Sequence, residues 1–174
     1  LLGLFVLWAV LWGIYFALDG MDLGLGALLP VLGRKPEDRG TIYRVMGPLW
    51  DGNEVWLIAA GGVTFAAFPA AYAVMFSALY VPLMILLFSL ILRGVALELR
   101  EKHGTAWWRR LWDTALVAGS VLPALLLGVA WGNIFSGIPI DGEGVYYGSL
   151  PQLLNPYGLL TGLLFLAWFA THGA

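Results

Sequence analysis

Five stretches of the chain, roughly residues 3–32, 50–68, 77–99, 112–136 and 156–174, are apolar over about the length that crosses a bilayer. A helix rising 1.5 Å per residue needs about 20 such residues to span the hydrocarbon core. In lipid every backbone amide and carbonyl must be bonded within its own segment, so runs of this kind are read as helices. The expected fold is therefore all-α: a polytopic transmembrane bundle of about five helices, forming one domain over residues 1–174. Only 11% of the residues are charged, against roughly 25% in soluble domains. The first run is too long, and too free of a small-residue cleavage site, to be a secretory signal peptide. The chain begins on Leu1 and stops at Ala174 inside an apolar run, so it is expected to be a piece of a longer protein, with the C-terminal part missing.

The basic residues orient the bundle. Arg34, Lys35, Arg39 and Arg44 lie in the first loop, and Arg93, Arg100, Lys102, Arg109 and Arg110 at or in the third. Cytoplasmic loops carry the Lys/Arg excess, which places these two loops inside and the N-terminus outside. Nine basic residues confined to two loops make no face for nucleic acid. With no cysteine there is no disulfide, thiolate metal site or Cys nucleophile.

Within the spans, prolines and small residues give local expectations. Pro48 and Pro156 are expected at helix starts, the latter with Asn155 as N-cap, and Pro123 is expected to kink the fourth helix. Gly20 and Gly24, Gly128 and Gly132, and Gly158 and Gly162 are spaced by four, the pattern that lets helices approach closely in lipid. The loop 137–155 is polar and acidic and is expected outside, with Tyr146 and Tyr147 at the interface.

Chemistry is expected where ionisable groups sit at membrane depth, because each costs roughly 2.5–3.5 kcal/mol on insertion scales. At 100° per residue, Trp8, Trp12, Tyr15, Asp19, Asp22 and Gly26 fall within a sector of about 80°. Such a stripe must face a bundle interior or a subunit contact. Asp19 and Asp22 are read in two ways, as neutral acids bonded to nearby backbone or indole groups, or as steps of a proton relay. Trp50 through Trp56 set Asp51, Asn53 and Glu54 between tryptophans at the cytoplasmic end of the second helix. Asp51 and Glu54 are either relay groups or helix N-terminal acids favoured by the macrodipole. Arg93 either snorkels to the inner surface or pairs with an acid, and Glu98 and Asp113 have an ordinary surface role as their default. His103 is expected in solvent and His172 at the end of the fifth helix. Neither has a companion suited to haem ligation, and no metal site is expected. Gly24-Leu25-Gly26 lacks the rest of a dinucleotide loop.

Four motifs carry a family resemblance: Leu18-Asp19-Gly20-Met21-Asp22-Leu23-Gly24; Gly47-Pro48-Leu49-Trp50-Asp51-Gly52-Asn53-Glu54-Val55-Trp56-Leu57; Gly132-Asn133; and Leu153-Leu154-Asn155-Pro156-Tyr157-Gly158-Leu159. Together they resemble subunit II of the cytochrome bd quinol oxidases, from end to end of the chain. The resemblance implies a subunit of about eight helices, of which this is the N-terminal part, in a bacterial or archaeal cytoplasmic membrane. It implies a complex that oxidises quinol and reduces oxygen to water with protons taken from the cytoplasm. Haem b and haem d, or haem b only, would be held by the partner, subunit I. Small accessory subunits, membrane lipid and a bound quinone are further associations the family admits. By the same resemblance Asp51 opens a cytoplasmic proton path and Glu98, where the family can have Asp, lies on it; the relay reading from helix position adds Asp22 and Asp19 deeper on that path. Asp22, Trp50, Arg93 and Asp113 match positions linked to assembly of the haem site, with Asn53 counted beside them at the haem site or subunit interface. Glu54, where the family also admits Gln, is expected to support the helix end. The alternative class is a proton-coupled secondary transporter or channel subunit using the intramembrane carboxylates, which predicts inverted repeats and broken helices.

Overall fold

The computed structural model describes residues 2–143 and 145–174, and among these it is a bundle of α-helices with one isolated β-bridge, between Ile140 and Tyr146. The helices are α1 (Leu2–Ala27), α2 (Leu29–Leu32), α3 (Pro36–Met46), α4 (Trp50–Ala67), α5 (Pro69–Ala78), α6 (Tyr80–Leu99), α7 (Ala106–Ser136), α8 (Leu150–Leu153) and α9 (Pro156–Gly173). A 3₁₀ turn, Arg100–Lys102, follows α6. Three segments, Leu2–Ala27, Tyr80–Lys102 and Ala106–Ser136, are long and apolar enough to cross a membrane. Large apolar side chains such as Ile58, Phe88, Phe135 and Leu160 lie mostly exposed on the outside. An outer surface of that kind belongs against lipid or another subunit.

Prolines set several boundaries. The first apolar run divides at Leu28 between α1 and α2, the latter with Pro30 in its first turn. The stretch between the second and third runs, left without an element by the sequence reading, forms α5. Phe68 takes φ −135°, ψ 58° because the residue before a proline is pushed out of the α region, and Pro69 then starts a new helix. Pro48 stands two residues before α4 and not inside it. α7 starts six residues earlier than the apolar run does and continues through Pro123. Asn155 caps α9, its Oδ1 accepting from the Gly158 amide at 2.7 Å.

α1 packs against α4, α7 and α9, and α7 also packs against α6 and α9. Without a hydrophobic drive between helices in lipid, such contacts depend on close van der Waals approach. Gly24 shows how close: a Cβ there would stand 1.7 Å from the Phe169 carbonyl oxygen of α9. At Gly128 a Cβ would stand 2.4 Å from the Thr161 carbonyl oxygen of the same helix. The expected packing role of the spaced glycines is thus met on both faces of α9. One buried cluster, including Tyr15, Leu23, Leu90, Leu127 and Phe169, fills the middle of the bundle. A second, including Leu29, Tyr43, Met46, Ala96 and Leu116, seats α3 against α6 and α7. The two basic loops therefore meet at one end of the molecule.

Candidate functional site

The polar stripe of α1 faces inward, as its spacing predicts: Tyr15, Asp19, Asp22 and Gly26 are all buried. Two other helices meet it. α4 brings Asn53 and Glu54 from its first two turns, and α6 brings Arg93 from about two turns before its C-terminus. Arg93 is fully buried. Its Nη2 donates to Asp19 Oδ1 at 2.5 Å and to Glu54 Oε1 at 2.7 Å. Beside this bridge Asn53 Nδ2 donates to Asp22 Oδ2 at 2.7 Å. One guanidinium thus serves a site with three carboxyl groups, where an unpaired ion costs several kcal/mol.

The cluster decides between the two sequence readings of Arg93 and corrects the reading of Glu54. Arg93 pairs with acids and does not snorkel; it ties three helices together in the interior. Glu54 is not a helix-end support either, because one turn of α4 carries its carboxyl past the surface to Arg93. Asp51, three residues earlier, is exposed, and among the described residues its Oδ1 accepts only from the adjacent Gly52 amide. The two acids therefore do not share an environment.

Between α4 and α6 runs a cleft of about 550 Å³, lined by Trp50, Glu54, Leu57, Gly94 and Glu98 among others. The Trp50 ring lies against Gly94, where a Cβ would come within 2.8 Å of it. Glu98 is exposed and Glu54 half-buried, so the cleft leads from one exposed acid to the ion-pair cluster. A second cavity of about 570 Å³ lies among α1, α4, α5, α6 and α7, and its walls include Trp12, Thr64, Tyr72, Met75 and Trp131. Trp8 Nε1 donates to Thr64 Oγ1 at 2.8 Å, and Thr64 passes its own bond to the Ala60 carbonyl at 2.7 Å. Trp12 Nε1 is buried with no hydrogen-bond partner.

Asp113 also departs from its default surface role. It is buried, and its two oxygens accept from Arg39 Nη1 at 2.7 Å and Arg100 Nε at 2.6 Å. Arg100 bonds Glu101 as well and stands 4.5 Å over the Tyr43 ring. Burial and then the Asp113 carboxylate push the Tyr43 phenol well above its usual range, so it remains a donor, to the Trp112 carbonyl at 3.2 Å. This knot holds α3, the 3₁₀ turn and α7 together. Asp113→Ala is expected to cost about 2–3 kcal/mol, below the 3–5 kcal/mol typical of a broken buried pair, because Arg39 is about one-third exposed and can turn back to water. Thermal unfolding of the purified assembly measures the loss, and Asp113→Glu should recover part of it.

At the other end of α7, Asn133 Nδ2 donates to the Val129 and Leu153 carbonyls, both at 2.8 Å, and Asn155 Nδ2 donates to Asn133 Oδ1 at 2.9 Å. Two of the sequence motifs are thereby joined. His103 lies exposed and edge-on to Trp108, with ring centroids 4.9 Å apart. His172, also exposed, has its Nε2 2.8 Å from the Ala17 carbonyl. Among the described residues, no group of three or more His, Cys, Asp or Glu side chains is placed to hold a metal ion.

A family model described as cytochrome bd terminal oxidase subunit II matches residues 2–174. The chain belongs to this family. It is 46% identical over 160 residues to the "Probable cytochrome oxidase subunit 2" of Haemophilus influenzae and 43% identical to the "Cytochrome bd-I ubiquinol oxidase subunit 2" of Escherichia coli, covering 90% of this chain and 42% of each relative. The "Cytochrome bd ubiquinol oxidase subunit 2" of Bacillus subtilis is 38% identical over 169 residues, which is 97% of this chain and 50% of that protein. The chain thus spans half or less of the length of these subunit II relatives. Within this bd subunit II chain, the four motifs map onto structure: the first and second supply the carboxyl groups and Asn53 of the buried cluster around Arg93, and the last two form the Asn133–Asn155 knot.

Proposed function

We propose that this chain works as part of the non-haem-ligating subunit II of a cytochrome bd-type quinol:oxygen oxidoreductase in a respiratory chain. The enzyme would sit in a bacterial or archaeal cytoplasmic membrane, multi-pass, with the basic end inside and the N-terminus outside. Its partner would be the haem-bearing subunit I, which supplies the redox chemistry through haem b and haem d, or haem b alone; small accessory subunits fit the same assembly. The family membership and the names of the relatives support this reading. They also argue against the transporter alternative.

This subunit's own task would be proton uptake. The observation that carries it is the buried Asp19–Arg93–Glu54 bridge, with Asp22 and Asn53 alongside, opening through the α4–α6 cleft toward exposed Glu98. Protons are carried through membranes by titratable groups with water between them, and the surplus of carboxyl groups over cations is where protons would bind. Asp51 and Glu98 would collect protons at the cytoplasmic surface, Glu54 would receive them inside the cleft, and Asp19 and Asp22 would hold them in the interior. Trp50 would cover the cleft, and Arg93 and Asn53 would orient the acids.

Asp51→Asn and Glu98→Gln in the full-length, two-subunit enzyme should each slow oxygen consumption and proton uptake about tenfold, at the low end of general acid–base effects, while the haem spectrum stays intact. Normal turnover in both would make them surface acids. The apolar walls of the second cavity are where a bound quinone would sit.

A further inference from the structure

Once the ion pairs are satisfied, the interior still holds polar atoms with no partner. Tyr15, one turn from Asp19 on α1, is fully buried, and its hydroxyl lies close to the Asp19 carboxyl but forms no well-aligned hydrogen bond among the described residues. Asp19 Oδ2, Arg93 Nε and Arg93 Nη1 are likewise unpartnered. A buried polar atom left unsatisfied costs about 1–3 kcal/mol, more when charged. Four such atoms on neighbouring side chains call for a common explanation, and bound water is the ordinary one, since it needs two to four polar partners. On its other side the Tyr15 ring meets Trp12 edge-on, with centroids 6.0 Å apart. Trp12 Nε1 is itself unpartnered, and Trp12 lines the second cavity. Asp19, Tyr15 and Trp12 thus form a row on α1 from the ion-pair cluster to that cavity.

We infer that Tyr15 passes protons onward from Asp19, through water held between its hydroxyl, Asp19 Oδ2 and Arg93, toward the second cavity. The inference rests on the proton-uptake reading and extends it. In the step, protonated Asp19 gives its proton to the bound water. That water passes one of its own to Tyr15 Oη, as the Tyr15 O–H bond releases its proton to water at the cavity side. The phenol is neutral before and after, and rotation of the hydroxyl resets it. Trp12 only donates, so it orients the receiving water and carries no proton. The charged groups around Tyr15 are Asp19 on its own helix, Arg93 from α6 and, across Arg93, Glu54 from α4.

The test uses the full-length two-subunit oxidase with Tyr15→Phe and, in parallel, Asp19→Asn. Tyr15→Phe keeps the ring and removes only the hydroxyl. The expected result is full haem content and unchanged thermal stability. Oxygen consumption should fall about tenfold or more, as for loss of a proton-transferring group, with an altered pH profile and a larger rate ratio between H2O and D2O. A wild-type rate and pH profile would overturn the inference, and so would a loss of activity that merely tracks lost haem, since that marks a packing residue. Slow Asp19→Asn with normal Tyr15→Phe removes Tyr15 alone from the route. Normal rates in both remove the buried cluster from proton uptake altogether.

Discussion

Arg93→Met should prevent stable assembly of the subunit. The side chain is fully buried, and one of its nitrogens bonds both Asp19 and Glu54. Removing one partner of a buried pair costs about 3–5 kcal/mol, because the remaining charge has neither water nor a counter-ion. Here two carboxyl groups lose their cation at once, and the loss severs α6 from both α1 and α4. α4 and α6 otherwise meet chiefly through side chains such as Trp50 across the cleft, so little else holds them. The yield of assembled, haem-containing oxidase and its thermal midpoint measure the effect. Arg93→Met combined with Asp19→Asn and Glu54→Gln should recover much of the stability, since an uncharged interior has nothing left to compensate. A single variant of wild-type stability would mean that the site is open to water.

Gly24→Val should be nearly as damaging, for a different reason. Any Cβ at Gly24 meets the Phe169 carbonyl oxygen at 1.7 Å and its carbon at 2.4 Å. The obstacle is backbone, so no rotamer change relieves it, and α1 and α9 must separate. Overpacking costs about 1–3 kcal/mol where side chains can yield; this contact should reach or exceed the upper end. Gly13→Ala serves as the control, because its Cβ would have no neighbour within 4 Å, and no loss is expected there. A drop in the thermal midpoint for Gly24→Val alone confirms that the α1–α9 contact depends on the absent side chain. Equal midpoints would show that the two helices tolerate greater separation.

Much of the architecture was legible in the sequence, because in a membrane the constraint acts locally. Every spanning run must satisfy its own backbone bonds, so apolarity marked α1, α4, α6, α7 and α9 as helices without knowledge of contacts, and α1, α6 with its 3₁₀ turn, and α7 are long and apolar enough to cross a membrane. α5 escaped because ten residues, Pro69–Ala78, are too few to span. The signal for it was Pro69, which both ends α4 and begins the next helix. The inward stripe of α1 was legible too, since burial of Asp19 and Asp22 follows from helical periodicity and the cost of charge in lipid.

What could not be read was which groups meet. Arg93 finds Asp19 from 74 residues away and Glu54 from 39, and Asp113 takes Arg39 from 74 away. Local spacing left Asp51 and Glu54 equivalent, three residues apart on one helix, and only the family resemblance set Asp51 ahead, yet α4's rotation against α1 turns Glu54 to the interior and leaves Asp51 in solvent. The sequence by itself determined a helical membrane bundle, its family, and the fact that its acids must be sheltered. Only the tertiary structure decided that one arginine shelters two of them and that a cleft leads to the pair, because helix rotation and approach are set by packing across the whole bundle, with glycines such as Gly24 setting the distance.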